Sequence, residues 1–97
     1  MIKIVANMHV KEGEVDNFKA LTKDLITKSL AEEGNGGVYS LNVSLSDPQT
    51  LCFIEFWKDQ AAIDTHNATE HFTRTFPKLA ELCDQEPVVE LFEEIEY

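Results

Sequence analysis

The first ten residues place the strongest constraint on the fold, because their apolar side chains recur at every second position. These side chains are Ile2, Ile4, Ala6, Met8 and Val10. A period of two is typical of a β-strand with one buried face. The opposite face carries the polar side chains Asn7 and His9. The segment therefore predicts a strand that buries one face in a core.

The rest of the chain alternates between helical and strand periodicity. Apolar residues at spacings of three and four, among them Leu21 and Leu30, predict a helix that ends at a glycine-rich turn. Asp59 is a good N-cap, and Pro77 predicts a kink or break near Phe76 in a later helix. In chain order the predicted elements are a helix over 14–33, strands over 38–46 and 51–57, helices over 60–67 and 69–82, and a strand from 88 to about 96.

This order is β-α-β-β-α-β, with the second helical region split in two. It predicts one ferredoxin-like α+β domain over residues 1–97, with four antiparallel strands and helices on one face of the sheet. The third strand has bulky side chains on both faces, Phe53 and Trp57 on one and Ile54 and Phe56 on the other. We therefore expect a second copy of the chain to cover the helix-free face in a symmetric homodimer.

Charge and cysteine usage exclude several classes of partner. Lys and Arg number 8 and Asp and Glu number 18, so the net charge is −10. Nucleic acids and anionic membrane surfaces both require clustered basic residues, so neither is an expected partner. No apolar run approaches the ~20 residues of a membrane span, and no secretory signal is recognisable. Cys52 and Cys83 lack paired spacing, which predicts free thiols in the reducing cytoplasm.

The densest group of chemically capable residues begins at Glu55. Alternation places Glu55 on the same strand face as Phe53 and Trp57. Burial there favours a neutral acid that exchanges a proton near pH 7, whereas a position at a sheet edge favours an ordinary carboxylate that is hydrogen-bonded or exposed. His66 follows at the end of a short helix, either as an acid–base group or as a structural helix cap. Trp57 is either a core residue or a stacking platform.

A metal site is not expected from the histidines. His66 and His71 lie five positions apart, a spacing that does not place two imidazoles on one helix face. The cysteines also lack metal-ligand spacing. Asn7 is unusual inside a strand, so it requires a hydrogen bond, either to a ligand or to a neighbouring backbone group.

The run from Ile54 to Phe72 resembles the signature of the antibiotic biosynthesis monooxygenase domain family. In that family a strand ending in Glu-x-Trp or Glu-x-Tyr precedes an acidic turn and Ala, and His-x-x-Thr-x-His-Phe or a close variant follows. The opening strand, the turn after it and the first helix also match in order and spacing. The resemblance implies a dimeric α+β barrel with a pocket between sheet and helices. It also implies oxidation of quinols or polyphenols by molecular oxygen without a cofactor.

Several residues carry over from this resemblance. Glu55 and His66 match pocket positions in that family, and we expect both to be catalytic. His66 is the first choice of base, because the unperturbed pKa of histidine, about 6.5, suits a base near neutral pH, and Glu55 orients its ring or holds the substrate hydroxyl. The implied substrate-binding residues are Asn7, Trp57, His71 and Phe72. The small quinol monooxygenases share this pattern with an isomerase of a phosphorylated autoinducer, whose basic phosphate-binding residues are hard to place here. A non-catalytic dimeric binding or stress module is the remaining alternative. Haem degradation is disfavoured, because Phe76 takes the position of the axial histidine.

Overall fold

A computed structural model describes the whole chain, Met1–Tyr97. Its elements are β1 (Ile2–His9), α1 (Val15–Leu30), β2 (Asn35–Val43), β3 (Thr50–Trp57), α2 (Gln60–Asn67), α3 (Glu70–Glu81) and β4 (Val88–Glu93). The four strands form one antiparallel sheet in the order β2-β3-β1-β4. The predicted ferredoxin-like order is therefore confirmed. None of the helices is both long and apolar enough to cross a membrane.

The core lies between the sheet and the helices, and its sheet side comes mainly from alternate residues of β1 and β3. Ile4, Ala6 and Met8 of β1 are buried, as the period of two predicts. The register pairs Ile4 with Glu55 on one side and with Leu91 on the other. β4 forms an edge of the sheet and is exposed along its length. The helix-covered face is consequently open on the β4 side.

The helix α1 differs from its prediction in length and in its buried stripe. It ends at Leu30 rather than near residue 33. Leu21 and Leu30 are 36% and 44% exposed, while Thr22 is buried with Phe18 and Leu25. Thr22 tolerates burial because its hydroxyl donates to a carbonyl one turn earlier in the helix, at 2.7 Å.

The strand β2 begins at Asn35, inside the stretch predicted to be only a turn, and it ends at Val43 rather than at residue 46. Asn35 pairs with Trp57, and the register then shifts before Tyr39. Gly37 has a φ of 91°, a conformation that favours glycine. The glycine-rich stretch therefore ends the helix and also forms the irregular start of a strand.

The helix α3 is continuous through Pro77, so of the predicted kink or break near Phe76 the break is wrong. Proline removes one helical hydrogen bond, the one that the carbonyl of Thr73 would otherwise accept. Both Pro77 and Thr73 are exposed, so water can bond to that carbonyl. The interruption lies earlier, between α2 and α3, where the split of this helical region was also predicted.

Candidate functional site

A cavity of about 350 Å³ lies between the helix-covered sheet face and the helices α2 and α3. Its lining is mostly apolar, with Ile4 and Phe53 from the sheet and Phe72 and Phe76 from α3. The polar side chains that reach it are Tyr39, Glu55, Gln60, His66 and Asn67. An apolar cavity with a few convergent polar groups is typical of a small-molecule site.

Glu55 contributes a buried carboxyl group to this cavity. It is 6% exposed and lies on an inner strand, so the alternative of a carboxylate at a sheet edge is wrong. Its Oε1 accepts a hydrogen bond of 2.9 Å from Trp57 Nε1. Burial raises the pKa of Glu55 to about 7, while the Trp57 hydrogen bond opposes that rise and the negative charge of Glu32 adds to it. Near neutrality Glu55 can therefore hold or release a proton.

His66 contributes a buried imidazole from the last turn of α2. It is 1% exposed, and its Nδ1 lies 2.6 Å from Oε2 of Glu32. Because a carboxylate can only accept, Nδ1 carries the proton and Nε2 of the neutral ring has a lone pair. No protein atom bonds to this Nε2. Burial lowers the pKa of His66, although Glu32 opposes that shift, so the ring is neutral at pH 7.

His66 and His71 do not share a helix face, as their spacing predicted, but Glu32 joins the two imidazoles. Oε2 of Glu32 also accepts from His71 Nε2 at 2.9 Å, and the two imidazole centroids lie 6.1 Å apart. The spacing rule applies within one helix, whereas a new helix begins between these two histidines. Thr69 joins the helices, since its hydroxyl donates to the His66 carbonyl at 2.7 Å and accepts from Phe72 N at 3.3 Å.

Glu32 was not identified from the sequence, and its position depends on a close contact that its own loop, between α1 and β2, makes two residues later. Gly34 packs directly against Ala62 of α2, where a Cβ on Gly34 would lie 2.3 Å from the Ala62 Cβ. The Gly34 carbonyl also accepts from Lys58 N at 2.9 Å. Only glycine permits this approach, which brings the loop after α1, and Glu32 with it, beside His66. No local sequence signal distinguishes Glu32 from the neighbouring exposed Glu33.

Tyr39 was also missed, although its strand alternation could have identified it. It shares a face of β2 with Leu41 and pairs with Glu55 across the sheet. Its ring centroid lies 5.4 Å from that of His66. Burial raises the pKa of Tyr39 well above its usual value, so the phenol stays protonated and can act as a hydrogen-bond donor.

The four residues expected to bind substrate have different surroundings. Phe72 lines the cavity, with its ring centroid 4.9 Å from that of His66. Trp57 is fully buried beneath the site, where it bonds Glu55 and packs on His66 at a centroid distance of 4.5 Å. His71 lies behind Glu32, facing a surface groove rather than the cavity. Asn7 is exposed on the helix-free face, so the structure does not bring it together with Glu55 and His66.

Comparison with known proteins assigns the chain to a family. Residues 1–78 match the model of the antibiotic biosynthesis monooxygenase family. Over 82 residues the chain is 37% identical to the Bacillus subtilis protein named "Putative monooxygenase YcnE", covering 84% of this chain and 85% of that relative.

Solved structures agree with this assignment. A conserved protein from Methanosarcina mazei Go1 superimposes with a TM-score of 0.93 at 35% identity, over 97% of this chain and 92% of that one. A crystal structure of an antibiotic biosynthesis monooxygenase superimposes with a TM-score of 0.92 at 35% identity, over 99% of this chain and 100% of that one. The chain belongs to the antibiotic biosynthesis monooxygenase family.

Proposed function

We propose that this protein is a cofactor-independent monooxygenase that oxidises a quinol-like or polyphenolic molecule in the cavity between sheet and helices. The observation that carries the proposal is the buried His66, whose Nδ1 bonds to Glu32 and whose Nε2 has no protein partner. A carboxylate that orients a neutral imidazole in this way favours a general base with its free nitrogen directed to a ligand.

The chemistry requires a base because a neutral phenol transfers an electron to oxygen poorly. Nε2 of His66 accepts a proton from one hydroxyl of the quinol, and the resulting anion reduces molecular oxygen. Overall, a hydroquinone and O2 give a hydroxyquinone and water, so the substrate supplies all four electrons. General-base catalysis of this type contributes roughly 10²–10⁴-fold in rate.

The second polar group, Glu55, suits the other end of the substrate. With a pKa of about 7 its protonated form can donate a hydrogen bond to the second substrate oxygen, as the Tyr39 phenol can. Glu55 can also return a proton to oxygen as water leaves. This role differs from the orientation of His66, because Glu32 is the carboxylate bonded to that imidazole.

The cavity favours this reaction over the two alternatives. No Lys or Arg lines it, so it offers no cation to a phosphorylated isomerase substrate. A non-catalytic module in which side chains fill the pocket is disfavoured by a cavity of about 350 Å³. That volume lies within the range of roughly 300–1,000 Å³ that is usual for small-molecule sites and suits a compact aromatic ligand.

We further propose that the protein acts as a homodimer joined through its helix-free sheet face. Val5, Ile54 and Phe56 are half-buried at the centre of that face, and Val88 and Phe92 of the edge strand are exposed beside them. Lys3 of β1 and Glu90 of β4 lie among these side chains on the same face, so the apolar surface is a set of patches. Apolar patches rimmed by charged residues are typical of an interface between copies.

An oxygen electrode tests the assignment of the base. Reduced benzoquinones and naphthoquinones serve as substrates, with spontaneous autoxidation subtracted. We expect His66→Phe to lose most of the catalysed oxygen consumption, roughly 10²-fold or more. The control is His9→Gln, which should retain the wild-type rate, because His9 bonds to Asp47 and Asp84 and does not line the cavity.

Glu32→Gln tests orientation separately from base strength. The amide still offers an oxygen to Nδ1, but loss of the charge lowers the pKa of His66 further. We therefore expect a lower rate and an acid limb of the pH–rate profile displaced to lower pH. Wild type no faster than buffer across the hydroquinones would contradict the proposed activity. An active His66→Phe would contradict only the choice of base.

A further inference from the structure

We propose that Glu32, His66 and His71 form a binding site for a divalent transition-metal ion such as Zn²⁺, and that an ion bound there switches off the His66 base. The first part stands on the geometry of these three side chains alone. The second part rests on the proposed function of His66.

The three side chains already converge as a ligand set. One ligand atom from each lies within 4.8 Å of the others, and the two imidazole nitrogens share the same carboxylate oxygen at 2.6 and 2.9 Å. Zinc ligands at about 2.0–2.1 Å in tetrahedral geometry lie roughly 3.3 Å from one another. Small rotations of the side chains therefore admit an ion, with one coordination position left for water.

The ligand types indicate which ions the site would select. Two imidazoles and one carboxylate suit zinc and its first-row neighbours, whereas magnesium and calcium prefer a set made entirely of oxygen atoms. The net charge of −10 raises the local concentration of any cation at the surface.

An ion can reach this site without passing through the substrate cavity. Glu32 lines a surface groove beside the start of α2, and His71 lines another between α1 and α3. Neither residue lines the cavity itself, whereas His66 lines the cavity and also belongs to the proposed ligand set. The ion and a substrate can therefore be bound at the same time.

Metal binding changes the chemistry of His66 through its tautomer. Without the ion, Nδ1 carries the proton and Nε2 has the lone pair. An ion on Nδ1 displaces that proton, so the neutral ring carries its proton on Nε2 instead. The group that accepts a proton from the substrate thereby becomes a hydrogen-bond donor.

Calorimetric titration with ZnCl2 tests the site on protein purified without a metal-affinity tag and treated with chelator. We expect one zinc per chain, with excess Mg²⁺ causing no competition. His71→Gln should weaken binding at least ~10-fold, and Glu32→Gln provides a second test should the first variant fail to fold. The matched control is His9→Gln, since His9 also contacts two carboxylates, those of Asp47 and Asp84. Absence of saturable binding, or a weakening caused by His9→Gln instead, would overturn the site.

The switch has a readout that does not depend on activity. Proton–nitrogen correlation spectra of the histidine rings should show Nε2 of His66 unprotonated before zinc and protonated at saturation. An unchanged tautomer would refute the switch. In an active wild type, oxygen consumption should fall as zinc saturates the site measured by calorimetry. For His71→Gln, normalised to its own metal-free rate, the same fractional inhibition should need at least ~10-fold more zinc. A wild type inactive without zinc would count against the monooxygenase proposal. The calorimetric and tautomer results would then still test whether zinc binds at Glu32, His66 and His71.

Discussion

The properties of single residues here depend on one or two partners each. His66 is neutral because it is buried, and its tautomer follows from a single carboxylate at 2.6 Å. Burial penalises the charged form of Glu55 as well, but there it raises the pKa, and only the Trp57 indole bonds to the carboxyl group. Two acid–base groups in one cavity are therefore both displaced toward their neutral forms.

Glu55→Gln should stabilise the protein at alkaline pH. The folded pKa of about 7 lies above the usual 4.5, so the folded state binds more protons between these values and stability falls as pH rises through that window. Glutamine keeps the oxygen that accepts from Trp57 and removes the charge. We expect a gain on the order of 1–3 kcal/mol in the free energy of unfolding at about pH 8, and little gain at about pH 4.5.

Urea denaturation at the two pH values measures this gain. Glu33→Gln is the control, since Glu33 is exposed and its substitution removes the same charge from the acidic surface. A gain in the free energy of unfolding at about pH 8 no larger than that of Glu33→Gln would show that the charge of Glu55 does not destabilise the folded state.

At the scale of elements, the junction between α2 and α3 determines the site. The hydroxyl of Thr69, at this junction, bonds to the last turn of α2 and caps the first turn of α3. That turn of the chain places His71 near His66 despite a spacing that separates side chains within one helix.

Thr69→Ala should destabilise this junction, and Thr69→Ser should not. Alanine loses both hydrogen bonds of the side chain, and N-cap losses of this kind cost about 1 kcal/mol in the free energy of unfolding. Chemical denaturation of both variants measures the difference. Thr65→Ala, at an exposed position in α2, serves as a control that should change stability little. Equal stability of Thr69→Ala and Thr69→Ser would mean that the hydroxyl does not support the junction.

At the scale of the whole molecule, the sheet has one face covered by helices and one without them. The uncovered face carries half-buried Ile54 and Phe56 on β3 and exposed Phe92 on β4. Lys3 of β1 lies between Phe56 and Phe92. Removing apolar surface of this kind from water contributes a favourable free energy of about 25 cal/mol per Å². Association through this face is the arrangement that the proposed function includes.

Sedimentation at micromolar concentration should therefore give about twice the chain mass of 11.0 kDa. Ile54→Glu places a charge at the centre of the uncovered face and should shift the protein toward monomer. Leu45→Glu is the control, because Leu45 is fully exposed in the loop between β2 and β3. A wild type that sediments as a monomer would contradict the dimer, and dissociation by Leu45→Glu alone would move the interface to that loop.

Local periodicity was enough to predict the element order and the orientation of much of the site. A period of two placed Ile4, Ala6 and Met8 in the core and put Glu55 on the face of Phe53. Strand geometry alone determines these assignments, because successive side chains point to opposite faces. The same rule put Asn7 on the other face, where the structure has it, although the family resemblance had implied a pocket position.

Only the tertiary structure determined which groups meet. Glu32 lies 34 positions from His66 and 39 from His71, yet one of its oxygens bonds to both. Their meeting depends on the close packing of Gly34 against α2 and on the turn between α2 and α3. Periodicity specifies the face on which a side chain lies, whereas distances between elements depend on how loops close and how helices pack. The pairing that sets the tautomer of His66 was therefore decided by the fold.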